Sequence, residues 1–230
     1  KRLLSIALQL ELASSGGIIL IDEVEQGLES DRTRHLAKRL IRDNIAQVFL
    51  TTHSNDVLVE VNCENVFLMK FGESSLTTFE KRMQGILRAY PKAFYGKRII
   101  SCEGATEEGV VRAIGDYLIS KGRLGLESRD IITVDGSGGN KFYEIALGFN
   151  ELGLDTIVFC DADNDKQLEN SKNEVLSKGI EIVQCQIGYA LEQQIFENLP
   201  YEGIVELIEW ANEEKSPIGI FPIPGLAKNL

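Results

Sequence analysis

The chain has 230 residues, 43% of them hydrophobic, and a formal net charge of −11. Such a length suits one large domain or two small ones, and the acidity excludes a protein that coats nucleic acid through bulk positive charge. No apolar run approaches the roughly 20 residues of a membrane span, so no membrane partner is expected.

The opening Lys1-Arg2-Leu3-Leu4 carries no signal-peptide pattern and reads as mid-helix, as in the later part of a longer protein. Leu3, Leu4, Ala7, Leu8 and Leu12 predict a helix over 1–14, ended by Ser14-Ser15-Gly16-Gly17. Ile18–Ile21 predicts a buried strand closed by Asp22-Glu23. A helix over 30–44 follows, with Leu36, Leu40 and Ile41 inward, then a buried strand over 47–52 and the run His53-Ser54-Asn55. Asn55 or Asp56 could cap a helix running through Val61. Residues 65–70 and 76–79 read as a strand pair around Gly72. Lys81, Arg82, Arg88, Lys92, Lys97 and Arg98 then form a basic stretch without an acid inside it, broken by Pro91 and Gly96. It reads either as a solvated linker or as a phosphate-contacting patch.

Beyond that stretch, strands over 98–102, 131–134, 156–160 and 180–185 alternate with helices over 107–121, 141–152, 167–178 and 191–198. The alternation predicts an α/β fold with a parallel sheet flanked by helices, whose function gathers at the C-terminal strand ends. One further helix is expected over 203–212. The cysteines are Cys63, Cys102, Cys160 and Cys185; none forms a CxxC pair and three lie in apolar runs. That is the pattern of reduced structural thiols in a cytoplasmic protein and disfavours zinc.

Two groups of residues carry chemistry. The first is an apolar strand ending in Asp22-Glu23, a Walker B pattern in which the Asp holds magnesium and the Glu positions water. Gly27-Leu28-Glu29 follows at the spacing of a D-loop, and a second strand ends in Thr51-Thr52-His53-Ser54, where His53 can face a γ-phosphate. In this reading Asp22, Glu23 and His53 are ATP-site residues. The chain contains no GxxxxGK[ST] loop. Gly136-Ser137-Gly138-Gly139-Asn140-Lys141 has the wrong glycine spacing and lacks the following Ser or Thr. Residues 1–70 resemble the C-terminal half of an ABC ATPase head of the SMC/OLD kind, with Asp22-Glu23-Val24-Glu25 where that family often has Asp-Glu-Pro-Glu.

The second group is acidic. One strand runs into Glu103-Gly104-Ala105-Thr106-Glu107-Glu108 and another into Asp161-Ala162-Asp163-Asn164-Asp165. If the two strands are parallel neighbours, their acids meet, and a hard cation such as Mg²⁺ or Mn²⁺ would offset the repulsion. Lys166 and Lys172 stand where a calcium-binding EF-hand loop needs Gly and Glu, which rejects that reading. A haloacid-dehalogenase phosphatase and a plain solvated loop with a helix cap remain as alternatives for the Asp run alone.

Glu103-Gly-x-Thr-Glu107 with Asp161-x-Asp163 and the Gly-rich turn at 135–139 resembles the Toprim pattern, over roughly residues 97–195. A Toprim domain behind an ABC head resembles OLD-family ATP-dependent endonucleases, and the junction 93–104 is similar to those of Gabija nuclease subunits. The resemblance implies residues 1–82 as the C-terminal part of an ABC-type ATPase domain, 83–96 as a basic linker, and 97–230 as a Toprim nuclease domain with a C-terminal helical extension. It implies Glu103, Glu107, Asp161 and Asp163 as metal ligands in a two-metal site, with Glu192 added to the catalytic set and Asp135 a weaker candidate. Lys215 or Lys228 could supply a family lysine, and Arg88, Lys92, Lys97 and Arg98 are DNA-contact candidates. Further implications are ATP in the full-length protein, DNA as partner, a homodimer or higher oligomer, an accessory defence subunit, and a role in bacterial anti-phage defence or DNA repair. The competing expectation is an ATPase-driven module whose Toprim-like domain binds DNA or protein without cutting. A topoisomerase would need a nucleophilic tyrosine that nothing marks, and a primase a zinc-binding segment that the chain lacks.

Overall fold

Two short apolar strands organise the first part of the chain. The strand β1 (Ile18–Ile21) pairs in parallel with β2 (Gln47–Leu50), Ile21 opposite Leu50. Helix α1 (Arg2–Leu12) precedes them, α2 (Ser30–Asp43) crosses between them, and the short α3 (Asn55–Leu58) follows. Period-2 alternation buries Ile19 and Ile21, which join Ile6, Val24, Leu36, Ala37 and Val57 in one core. Ile18, Leu20 and Phe49 stay exposed on the opposite face, a face that parallel strands ordinarily have covered. The computed structural model describes residues 2–13, 16–43, 46–70, 72–162 and 165–215.

The expected strand pair forms as an antiparallel hairpin of β3 (Phe67–Met69) and β4 (Leu76–Thr78). The basic stretch after it is folded. A 3-10 turn at Lys81–Met83 leads into α4 (Gln84–Ala89) and then into a 3-10 helix, Pro91–Tyr95. Met83, Leu87, Ala93 and Phe94 turn inward while Lys81, Arg82, Arg88 and Lys92 face out. With Leu58, Cys63 and Phe79 they share one core with Ile99, Val134, Ile145, Phe149, Leu152 and Leu154. The Phe94 ring lies 5.3 Å from that of Phe79 and 5.1 Å from that of Phe149.

The second sheet is parallel throughout, in the order β6-β5-β7-β8, with β5 at Arg98–Cys102, β6 at Ile131–Asp135, β7 at Asp155–Cys160 and β8 at Glu181–Gln184. Helices α5 (Ala105–Ser120), α6 (Lys141–Glu151) and α7 (Asp165–Ser177) make the crossovers. Helices α8 (Leu191–Asn198) and α9 (Tyr201–Lys215) follow. This is the α/β alternation that the sequence predicts, a four-stranded parallel sheet flanked by helices. Phe142, Tyr143, Ala146 and Val175 from α6 and α7 pack on Val158, Cys160 and Ile180. Among the described residues no helix is long and apolar enough to cross a membrane.

Because Phe94 is 5% exposed at the centre of that shared core, Phe94→Ala is expected to lower unfolding free energy by about 3–5 kcal/mol. Urea denaturation followed by circular dichroism measures it; a loss under about 0.5 kcal/mol, the size of an ordinary surface change, would show that residues 81–95 are peripheral.

Candidate functional site

The central strand β5 fixes where the acids meet. Cys102 stands opposite Asp135 of β6 on one side and Phe159 of β7 on the other. Glu103, Asp135 and Asp161 therefore leave one edge of the sheet side by side. The Glu103 N–H donates to the Phe159 carbonyl at 3.0 Å, extending the ladder by one step. The Asp161 N–H donates to Glu103 Oε2 at 3.3 Å, so the Glu103 carboxylate lies over the end of β7.

Two helix starts bring further acids to this edge. Glu107, in the first turn of α5, is buried, and its Oε2 accepts the Gly104 N–H at 2.9 Å. Glu107 thus closes its own helix N-terminus, where a carboxylate is favoured. Leu191, the first residue of α8, packs with Ala162 and Cys185. The loop before α8 is tied to the exit of β7 by bonds from Ala162 N–H to the Tyr189 carbonyl, 3.0 Å, and from Gly188 N–H to the Ala162 carbonyl, 2.9 Å. That pairing carries the exposed Glu192 to the same edge. Asp161, Glu107, Glu192 and Glu103 all lie near enough to Cys185 to add, after burial, to the upward push on its thiol. Asp163, expected beside them, lies outside the described residues, as do Lys228 and the side chain of Lys215. Among the described residues no three His, Cys, Asp or Glu side chains already stand in a metal-holding cluster.

A glycine-rich turn supports Glu103 from the β6 side. Gly136 N–H donates to the Cys102 carbonyl at 2.9 Å and Gly138 N–H to the Glu103 carbonyl at 2.8 Å. Gly136 is required by space, since a Cβ there would lie 2.4 Å from that of Phe142 and 2.8 Å from the Cys102 oxygen. Gly138 adopts φ +76°, which glycine takes without strain. Asp135 serves this turn, its Oδ1 accepting the Ser137 N–H at 2.7 Å.

Three free cysteines line the same region. Burial, then the charges of Glu108, Glu107 and Asp135, pushes the Cys102 thiol up to about 12. Burial does the same for Cys160, to about 12; the Tyr143 hydrogen bond opposes it, Glu103 adds to it, Lys172 opposes it and Asp161 adds to it. These thiols are neutral near pH 7, so the donor set at the edge is carboxylate oxygen, which fits a hard divalent cation.

The ATPase-type motifs also converge. The ends of β1 and β2 place Asp22-Glu23 beside Thr51-Thr52-His53. Thr51 Oγ1 donates to Asp22 Oδ1 at 2.5 Å and accepts the Glu23 N–H at 2.8 Å. Glu23 is held at φ +43°, a left-handed conformation unusual for a side chain with Cβ. The Arg2 guanidinium bonds the Asp22 carbonyl. Glu25, to which the sequence assigned no role of its own, accepts the Thr52 hydroxyl at 2.8 Å and the His53 N–H at 2.6 Å. Its Asp-Glu-x-Glu spacing was visible, but its partners are set by the pairing of β1 and β2.

Three of the four basic candidates are paired with acids. Lys92 bonds Glu127 at 2.8 Å, Lys97 bonds Asp130 at 2.5 Å, and Arg98 Nε bonds Asp155 at 2.6 Å. Lys97 and Arg98 sit at the N-terminal end of β5, whose rise of about 3.3 Å per residue puts them roughly 16 Å or more from Glu103. Arg88 is exposed and, among the described residues, pairs with no acid.

Acids thus gather at the C-terminal edge of one parallel sheet, and an earlier strand pair brings Asp22-Glu23 beside His53, an arrangement consistent with an ATPase unit followed by a Toprim domain. Comparison with known families agrees. Residues 1–60 match the family described as "AAA domain, putative AbiEii toxin, Type IV TA system". Residues 94–163 match "Overcoming lysogenization defect protein-like, TOPRIM domain", a span that holds Glu103, Glu107, Asp161 and Asp163 but not Glu192. In domain content and order the chain is consistent with an OLD-family ATPase–Toprim protein. Toprim domains typically bind divalent metals and AAA domains bind ATP. No curated protein matches the chain.

The raised thiols give a pH dependence. An unfolded thiol titrates near 9.0, whereas folded Cys102 and Cys160 hold their protons to about 12. The unfolded state therefore loses protons first, so this contribution to stability is full below about pH 9 and falls as pH rises towards 12. Urea midpoints measured across that range should fall less steeply for Cys160→Ala than for the wild type; equal slopes would show that the thiol contributes nothing.

Proposed function

We propose that this chain is the Toprim-bearing part of a divalent-metal-dependent DNA endonuclease, regulated by its ABC-type ATPase unit and acting in bacterial anti-phage defence or DNA repair. The observation that carries the reading is the bond from the Asp161 N–H to the Glu103 carboxylate, which brings two strand ends into one acidic edge. Like charges gathered there disfavour one another unless a cation neutralises them. Glu103, Asp161 and Asp163 would hold one Mg²⁺ or Mn²⁺, and Glu107 with Glu192 the second. Bound ions supply Lewis-acid charge to a scissile phosphate and a nucleophilic water near neutral pH.

The chain's own groups orient that chemistry. Asp161 N–H fixes one oxygen of Glu103, Gly138 N–H fixes its carbonyl, and Gly104 N–H fixes Glu107. With a net charge of −11, DNA must be held by local cations rather than by the whole surface; Arg88 is the best placed of the four candidates to be free for it. Asp22, Glu23 and His53 would face nucleotide once a phosphate loop completes the ATPase unit. The exposed Ile18, Leu20 and Phe49 support further ATPase structure packing on β1 and β2. ABC heads act in pairs, which makes a homodimer or larger assembly, with or without an accessory subunit, the working form.

Full-length protein is expected to nick supercoiled plasmid with Mg²⁺ or Mn²⁺. Glu103→Ala and Asp161→Ala should each slow nicking by about a hundredfold or more, since a metal's charge stabilisation is worth several kcal/mol. Wild-type rates in both variants would overturn the nuclease, and DNA binding without cutting under either metal would favour a binding module.

Metal binding has its own readout. At a hundred times its dissociation constant, Mn²⁺ should stabilise the chain by about 2.7 kcal/mol, seen as a rise in Tm that chelator reverses. Asp161→Asn should lose most of that rise; an unchanged rise would place the ion elsewhere.

A further inference from the structure

One tyrosine between the two sites has a hydroxyl with nothing to bond. Tyr95 Oη is buried and, among the described residues, has no hydrogen-bond partner, a situation that costs about 1–3 kcal/mol. Its ring centroid lies 5.8 Å from that of His53. Glu25 is close enough for its negative charge to add, after burial, to the upward push on the phenol. Glu25 already grips the His53 loop through Thr52 Oγ1 and His53 N–H. Two carboxylate oxygens offer about four lone-pair sites, so Glu25 has room for a third donor.

Tyr95 ends the 3-10 helix Pro91–Tyr95, and Tyr90 stands at the other end. Tyr90 Oη donates to the Asp135 carbonyl at 2.5 Å. Asp135 opens the turn whose Gly138 N–H holds the Glu103 carbonyl. The 3-10 helix is short, about 10 Å at roughly 2 Å per residue, and is clamped along its length. Ala93 and Phe94 are buried in the shared core, and a Cβ on Gly96 would lie 2.7 Å from Ile132 Cγ1. So firmly packed an element moves as one piece or not at all.

We propose that Tyr95 is a positioning residue that couples the His53 loop to Glu103. When nucleotide draws the loop to a second position, the Tyr95 hydroxyl donates to Glu25. The 3-10 helix then carries the displacement through Tyr90 to the Asp135 carbonyl and the turn under Glu103. A hydroxyl bonded in one state and orphaned in the other supplies the difference in interaction energy between states that coupling requires. The proposal rests on the ATP-regulated nuclease reading above.

The test uses full-length protein, phosphate loop included, nicking plasmid in Mn²⁺ with and without ATP. Tyr95→Phe removes an atom without a partner in the nucleotide-free state, so the nucleotide-free rate should match the wild type and Tm should hold or rise as the orphan's cost is relieved. The ratio of rates with and without ATP, expected to differ from one by at least about fivefold in the wild type, should collapse towards one. Tyr90→Phe should lower that ratio too, and the double variant should go no further than Tyr95→Phe alone. A wild-type ratio in Tyr95→Phe overturns the proposal while leaving the nuclease intact, and so does wild-type nicking indifferent to ATP. If the wild type does not nick, the nuclease reading fails instead. Amide exchange at Gly136 and Gly138 with and without ATP then decides the coupling: ATP-dependent protection lost in Tyr95→Phe supports it, and equal protection overturns it.

Discussion

The structure depends on one arrangement of like charge. A Glu103 carboxylate is laid across the exit of β7 and held there by the Asp161 N–H, with Glu107 buried close by. Carboxylates brought to one sheet edge disfavour one another's charge. Strand register is what enforces their approach. Ile99, Ser101 and Cys102 of β5 are buried on both faces of the sheet, so slipping β5 by one residue would exchange the side chains fitted to each face. Burial elsewhere in the sheet therefore determines where Glu103 sits.

Backbone dipoles soften the crowding without removing it. The first turns of α5 and α8 point N–H groups towards the acidic edge, a favourable end for negative charge. Gly104 N–H meets Glu107, and Ala190 N–H meets the Gln193 side chain. The cysteines fill the volume beside the acids with neutral thiols, whose proton affinity is raised first by burial and then by those acids. An ionised ligand of another kind would have added charge where the fold has least tolerance for it.

How much of this was legible in the sequence differed by kind of signal. The sheet was readable because β5, β6 and β7 are short, mostly apolar runs that end at an acid, and the expected span 98–102 matches β5. The convergence of Glu103 and Asp161 was conditional on parallel neighbours, a pairing that periodicity cannot specify. The stretch 81–98 was harder. Its charges and breakers suggested a solvated linker, yet Met83, Leu87 and Phe94 recur at helical spacing and are buried. The paired acids Glu127, Asp130 and Asp155 come from distant sequence, so a patch that looked free for phosphate is mostly engaged. Glu25, Tyr90 and Tyr95 went unassigned for the same reason: each acts through a neighbour that only the fold supplies.

A core running unbroken from Leu58 to Leu154 has a thermodynamic consequence. Where two sites share packed, low-compressibility structure, a change in one that is resisted by the other appears as a coupling free energy. Binding linkage is reciprocal, so whatever factor nucleotide applies to cation affinity at the acidic edge, the cation must apply to nucleotide affinity. On that linkage, an ATPase unit acting on the acidic edge would itself respond to the state of that edge. A loose linker between the two units would allow no such effect, because each could move without the other. The burial of Phe94 and the bond from Tyr90 to the Asp135 carbonyl are the features that make the alternative available.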